Sequence, residues 1–130
     1  MKRRLSPVYR NSLKAYQKVE TATISGRETE ARVLTKAALK LKYCRDNWAA
    51  SDRREKLDEA LTYTQRVWSL IQAELLDENN PFPRNLKENI LNLSAFIDKR
   101  IFNFMAYPNP EKLDLIIDIH LNLAAGLRNS

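Results

Sequence analysis

Near its C-terminus the chain reads EKLDLIIDIHLNLAAGL, residues 111–127. As a helix, this stretch points Leu113, Leu115, Ile116, Ile117, Ile119, Leu121, Leu123 and Leu127 in nearly every direction. Only Asp114, Asp118 and Asn122, spaced by four, form a polar stripe, and His120 falls on the apolar side. An ordinary surface helix has a polar half. Burying one Leu or Ile side chain is worth roughly 1.5–3 kcal/mol. Leaving four exposed would forgo about 6–12 kcal/mol, comparable to a domain's whole stability of about 5–15 kcal/mol. The helix therefore needs cover. Either it is central and ringed by the others, or one face packs inward while the other floors a groove for a partner.

The remaining chain supplies helices to do the covering. Two glycines, five prolines and no strand-like alternation in 130 residues predict an all-α protein. Ser6-Pro7 opens a short front helix carrying Tyr9, Leu13 and Tyr16 and ending near Thr21, so that residues 1–24 form an arm or short helix. Ser25 and Glu28 match a capping box for the next helix, whose apolar face is Ala31, Leu34, Ala38, Leu41 and Trp48, with Ala37 and Cys44 beside it. Small residues at 31, 37 and 38 allow a neighbour to approach closely. Asp52 and Glu55 form a second box, before a face of Leu57, Leu61, Thr64, Trp68, Ile71 and Leu75.

DENNPFPRN then ends that helix, because its prolines forbid continuation. The following stripe is Leu86, Ile90, Leu93, Ile97, Ile101 and Phe104, widened by Leu91, Phe102 and Met105 as if to meet two neighbours. Asn109 caps the terminal helix with Pro110 in its first turn, and Gly126 is placed to end it. Short connections favour a single compact bundle of four main helices over the whole chain.

The chemistry-bearing inventory is thin. One His and one Cys make neither a zinc set nor an evident Cys–His pair, and both lie on apolar faces as core residues. GxxxxGK[ST] and GxGxxG are absent, so no nucleotide-phosphate cradle is legible. The expectation is no enzyme, no metal and no cofactor. No apolar run spans a membrane, the front end lacks the apolar segment of a signal peptide, and a single cysteine fits a reducing, cytoplasmic setting.

Charge is uneven. Residues 1–66 hold 16 basic and 8 acidic side chains, against 6 and 8 in residues 67–130. Lys36, Lys40, Lys42 and Arg45, near Tyr43, are candidate phosphate contacts for RNA. Yet no RNA-binding module or basic-flanked aromatic platform accompanies them. Trp48 and Trp68 fall on core faces.

Taken together, five stretches resemble the flagellar biosynthesis regulator FlaF family, from about Ala15 to Arg128. They are Ala15-Tyr16, SGRETEARVLTKAA, EALTYTQRVWSLIQAEL, NPFPRNLKENILNLSAFIDKRI and PNPEKLDLIIDIHLNLAAGLR, the last two being the most specific. The chain departs from the family pattern at Gly26, where proline is typical, and near Thr64, where asparagine is favoured. It also has His120-Leu121 in place of an Asn-Arg pair. The resemblance implies a small helical cytoplasmic protein that promotes flagellin production and secretion. It implies flagellin as a partner, and coupling to FlbT, which acts on flagellin messenger.

A hydrophobic groove that receives an amphipathic helix is a recognised binding mode, and the resemblance implies a flagellin helix as its occupant. Its candidate contacts here are Ile101, Phe102 and Met105 on the third helix and Ile117, His120, Leu121 and Ala124 on the fourth. Direct messenger or FlbT binding through the basic half is the alternative. A homodimer burying the terminal helix against itself is a third arrangement.

Overall fold

A computed structural model describes residues 13–129, with side chains from residue 27 onward. Four α-helices follow in order: α1 (Leu13–Asp46), α2 (Arg53–Leu76), α3 (Arg84–Ala106) and α4 (Leu113–Arg128). A 3-10 turn, Pro110–Lys112, leads into α4. The described residues are thus all-α, as the sequence predicts. The Ser6-Pro7 start lies outside them.

The front of the bundle differs from expectation. The sequence reading separates a short helix from one capped at Ser25, whereas α1 runs unbroken through Ser25 and Gly26. A box motif is also an ordinary i, i+3 pair inside a helix, and one interior glycine costs only about 1 kcal/mol. Glu28 reaches Arg32 at 3.4 Å and Arg128 of α4 at 3.7 Å. At the second box Asp52 does precede α2, but its side chain makes no cap hydrogen bond. Asn109 caps as expected, its Oδ1 accepting from the Glu111 amide at 2.9 Å. Gly126 does not stop α4, which continues to Arg128, and its φ is not positive.

α4 packs chiefly on α1, α1 also on α2, and α2 on α3, while α3 touches α4 lightly. The core joins Ala31, Leu34, Ala38 and Leu41 of α1 to Leu61, Val67 and Trp68 of α2. Ile97, Ile101 and Phe104 of α3 and Leu113, Ile116, Ile117 and Ala124 of α4 complete it. Ala31, Ala37 and Ala38 are fully buried, consistent with close helix approach, and Cys44 is a buried core residue. Trp48 packs edge-on against Phe104, ring centroids 6.0 Å apart.

The widened stripe of α3 is not covered. Ile101 is fully buried, yet its neighbour Phe102 is 76% exposed and Met105 57% exposed. α3 meets α2 along one side and has too little contact with α4 to hide a second face.

The core has one polar pair between side chains of α2 and α4. Trp68 Nε1 donates to His120 Nε2 at 2.8 Å, and His120 Nδ1 lies 2.7 Å from the Ile116 carbonyl oxygen. The imidazole is therefore neutral with its proton on Nδ1, donating to Ile116 and accepting from Trp68. A second proton on Nε2 would oppose the indole N–H. Burial pushes the His120 pKa below its ordinary value of 6.5, outweighing the hydrogen bond to Ile116.

Two outcomes follow from this packing. Ile101→Ala should cost about 2–5 kcal/mol in urea unfolding, while Phe102→Ala should stay within about 0.5 kcal/mol. Because His120 titrates lower when folded than when unfolded, its contribution is complete above about pH 6.5 and is lost as pH falls below it. His120 is the chain's single histidine. Unfolding measured from pH 7.5 to 5 should therefore show an acid-side slope of at most about 1.4 kcal/mol per pH unit that His120→Asn flattens.

Candidate partner-binding site

The structure divides the seven sequence candidates. Ile101, Ile117, His120 and Ala124 are interior, at most 2% exposed, and offer no surface to a partner. Phe102, Met105 and Leu121 are exposed. Helical spacing puts Phe102 and Met105 on one flank and Leu121 on another. Phe102 lies one turn beyond Asp98, whose carboxylate accepts from Gln72 of α2 at 3.4 Å. Leu121 lies seven residues from both Asp114 and Arg128, which bond Arg45 and Thr35 of α1 at 2.9 and 3.1 Å. Phe102 therefore borders α2, Leu121 borders α1, and no single groove joins them.

An apolar crevice does exist elsewhere. It opens where α2 and α4 end and α3 begins, with a volume of about 130 Å³. Leu34 of α1, Trp68, Ile71 and Leu75 of α2, and Ile90 of α3 line it together with Leu123 and Leu127 of α4. Phe82 of the α2–α3 turn forms part of its wall. That turn is held folded by Asn80, whose Oδ1 accepts from the Phe82 amide at 2.9 Å. Asn80 Nδ2 also donates to the Glu74 carbonyl at 3.0 Å. So α4 does floor a crevice, through Leu123 and Leu127 rather than through its middle.

Two carboxylates sit at this crevice, Glu30 of α1 and Glu74 of α2. Burial first, and then the charge of Glu74 and a hydrogen bond to it, push the Glu30 carboxyl above its ordinary range, against the pull of Arg27.

At the opposite end a second hollow is lined by Trp48, Arg53, Leu57, Leu61, Phe104 and Met105. Arg53 stacks 4.4 Å from the Trp48 ring and donates to the Trp48 carbonyl at 3.1 Å. The exposed Met105 thus belongs to a surface that also includes aromatic and cationic side chains.

Of the four basic candidates, only Lys36 and Lys40 converge. Lys36 and Lys40 lie over Tyr63 of α2, 5.4 and 5.5 Å from its centroid. Lys40 also pairs with Glu59, holding that carboxyl below its usual range. Arg45 instead faces α4, bonded to Asp46 and Asp114. Lys42 is exposed. A phosphate would have to compete with Glu59 for Lys40 and with Asp46 and Asp114 for Arg45.

Among the described residues, no group of three or more His, Cys, Asp or Glu side chains is placed to hold a metal ion. No helix among them is long and apolar enough to cross a membrane. Sequence reasoning missed the crevice because its walls come from five separate segments. Its one local signal is NPFP, where an aromatic sits between two prolines beside an asparagine that can fold the turn.

No curated protein and no solved structure matches the chain. The family model described as flagellar protein FlaF matches residues 12–127, which takes in the four helices except the last residue of α4, the NPFP turn and the capped entry to α4. The chain belongs to the flagellar protein FlaF family, and with it to flagellar biogenesis.

Proposed function

We propose that the protein is a non-catalytic regulator of flagellum biogenesis that binds flagellin as a chaperone-like factor and promotes its synthesis and export. The observation that carries this reading is the apolar crevice walled by all four helices and Phe82. A crevice of this kind suits the apolar face of an amphipathic helix. Phe102, Met105 and Leu121 remain candidate accessory contacts, since each keeps exposed apolar surface. The messenger or FlbT reading through Lys36, Lys40, Lys42 and Arg45 is second, because Lys40 and Arg45 are engaged by neighbouring acids.

Size-exclusion chromatography with light scattering, on the protein alone and with monomeric flagellin from the same genome, tests the reading. A discrete complex that persists in high salt is expected. Phe82→Asp, on a turn, should weaken it at least tenfold with the helical circular dichroism unchanged, about 1.4 kcal/mol or more. Loss on Phe102→Asp but not on Phe82→Asp would move the docking surface to α3. A complex with RNA alone, falling steeply with salt, would favour the second reading. A doubled mass without any partner would identify a homodimer.

A further inference from the structure

We infer that the seam between α1 and α2 is a second docking surface, fitted to an acidic amphipathic helix of a protein partner. The apolar anchors of that helix would rest on Leu39 and Tyr43, and its carboxylates would face Lys36, Lys40 and Lys56. The seam shares no residue with the end crevice, so the inference stands apart from the flagellin reading.

Leu39 and Tyr43 stand one turn apart on α1 and are 55% and 44% exposed. A leucine exposed alone is ordinary, but these two share a hollow of about 390 Å³ with Lys36, Lys40, Lys56 and Glu59. A second hollow, of about 360 Å³, shares Lys36, Lys40 and Glu59 with it and adds Asp58, Tyr63 and Arg66. Together they form one groove, and its charge selects the occupant. Four cations (Lys36, Lys40, Lys56, Arg66) and two carboxylates (Asp58, Glu59) line it, a surplus of two positive charges. Among the described residues Lys40 alone of the four cations makes an ion pair, with Glu59. Lys56 and Lys36 act on the same carboxylate from further off, so one acid answers three lysines. Carboxylates arriving on a partner helix would balance that surplus. Exposed pairs of this kind add little affinity each, but they steer encounter and choose the partner. Burial of Leu39 and Tyr43 against the apolar face of the helix supplies the affinity, as in other helix-in-groove contacts. A nucleic acid fits less well. Asp58 and Glu59 would repel its phosphates, and Lys36 and Lys40 already lie over the Tyr63 ring where a base would stack. A second copy of the chain would set this basic face against itself.

The test is isothermal titration with a synthetic helical peptide, leucine along one face and glutamate along the other, against a scrambled peptide of the same composition. Circular dichroism and melting verify the fold of each protein variant; Leu39, Lys36 and Lys56 are all exposed. The wild type should bind the amphipathic peptide at least about tenfold more tightly than the scramble. Leu39→Ser should remove that preference. Lys36→Glu/Lys56→Glu should weaken binding at least about tenfold, and should raise affinity for the same peptide with lysine in place of glutamate. Equal affinity of the wild type for peptide and scramble would overturn the inference, leaving only general attraction of acidic chains to a basic protein. Tighter binding of a single-stranded RNA oligonucleotide, steeply weakened by salt and lost in the double variant, would overturn it in favour of nucleic acid. None of these outcomes bears on flagellin at the end crevice, which the Phe82→Asp comparison reads separately.

Discussion

The contact between α1 and α4 is the constraint on which the rest of the bundle depends. Ala38 lies seven residues from both Ala31 and Arg45, so the three form one stripe on α1, and Arg45 bonds Asp114 of α4. Alanines on that stripe let the α4 backbone come near, which seats Leu113, Ile116, Ile117 and Ala124 in the core. The two ends are tied by Arg45 to Asp114 and by Arg128 to Thr35 and Glu28. Exposed ion pairs contribute little stability, so close packing holds the helices and the pairs fix their register. With α1 in place, α2 lies against its other side, and α3 is added on α2.

α2 and α4 meet through Trp68 and His120, and this pair shapes the crevice as well as the core. Trp68 is the residue common to both. Its indole N–H is committed to the imidazole, which fixes how the ring is presented to the crevice. An asparagine at position 120 would also offer a side-chain acceptor. Histidine fills more volume and introduces a titratable group into an otherwise uncharged contact. Its neighbour Leu121 stands on the flank where Asp114 and Arg128 secure α4 to α1.

Helix identity and core faces were legible in the sequence because period 3.6 reports burial directly. The stripe from Ala31 to Leu41 and that from Leu61 to Leu75 are buried in large part. Two kinds of information were not legible. Ser25 to Glu28 is compatible with a helix start and with a helix interior, and only the continuity of α1 decides between them. Phe102 and Met105 extend an apolar stripe, but whether a neighbour covers it depends on the distance of α4 from α3. The same holds for the site. His120 was readable as packed or hydrogen-bonded, whereas its partner is 52 positions away in sequence. Glu30 and Glu74 have no shared periodicity, and only tertiary packing places both at the crevice.

Cys44 is the only thiol in the chain, and it is 1% exposed on the buried face of α1. Burial also pushes its pKa up, lowering the thiolate fraction available to any reagent. Alkylation of the native protein can therefore proceed only through openings that part α1 from the bundle. The rate of that reaction is an intrinsic clock for those openings, obtained without introducing a label. A ligand that bridges α1 to the other helices would slow the clock, and one that draws α1 away would speed it.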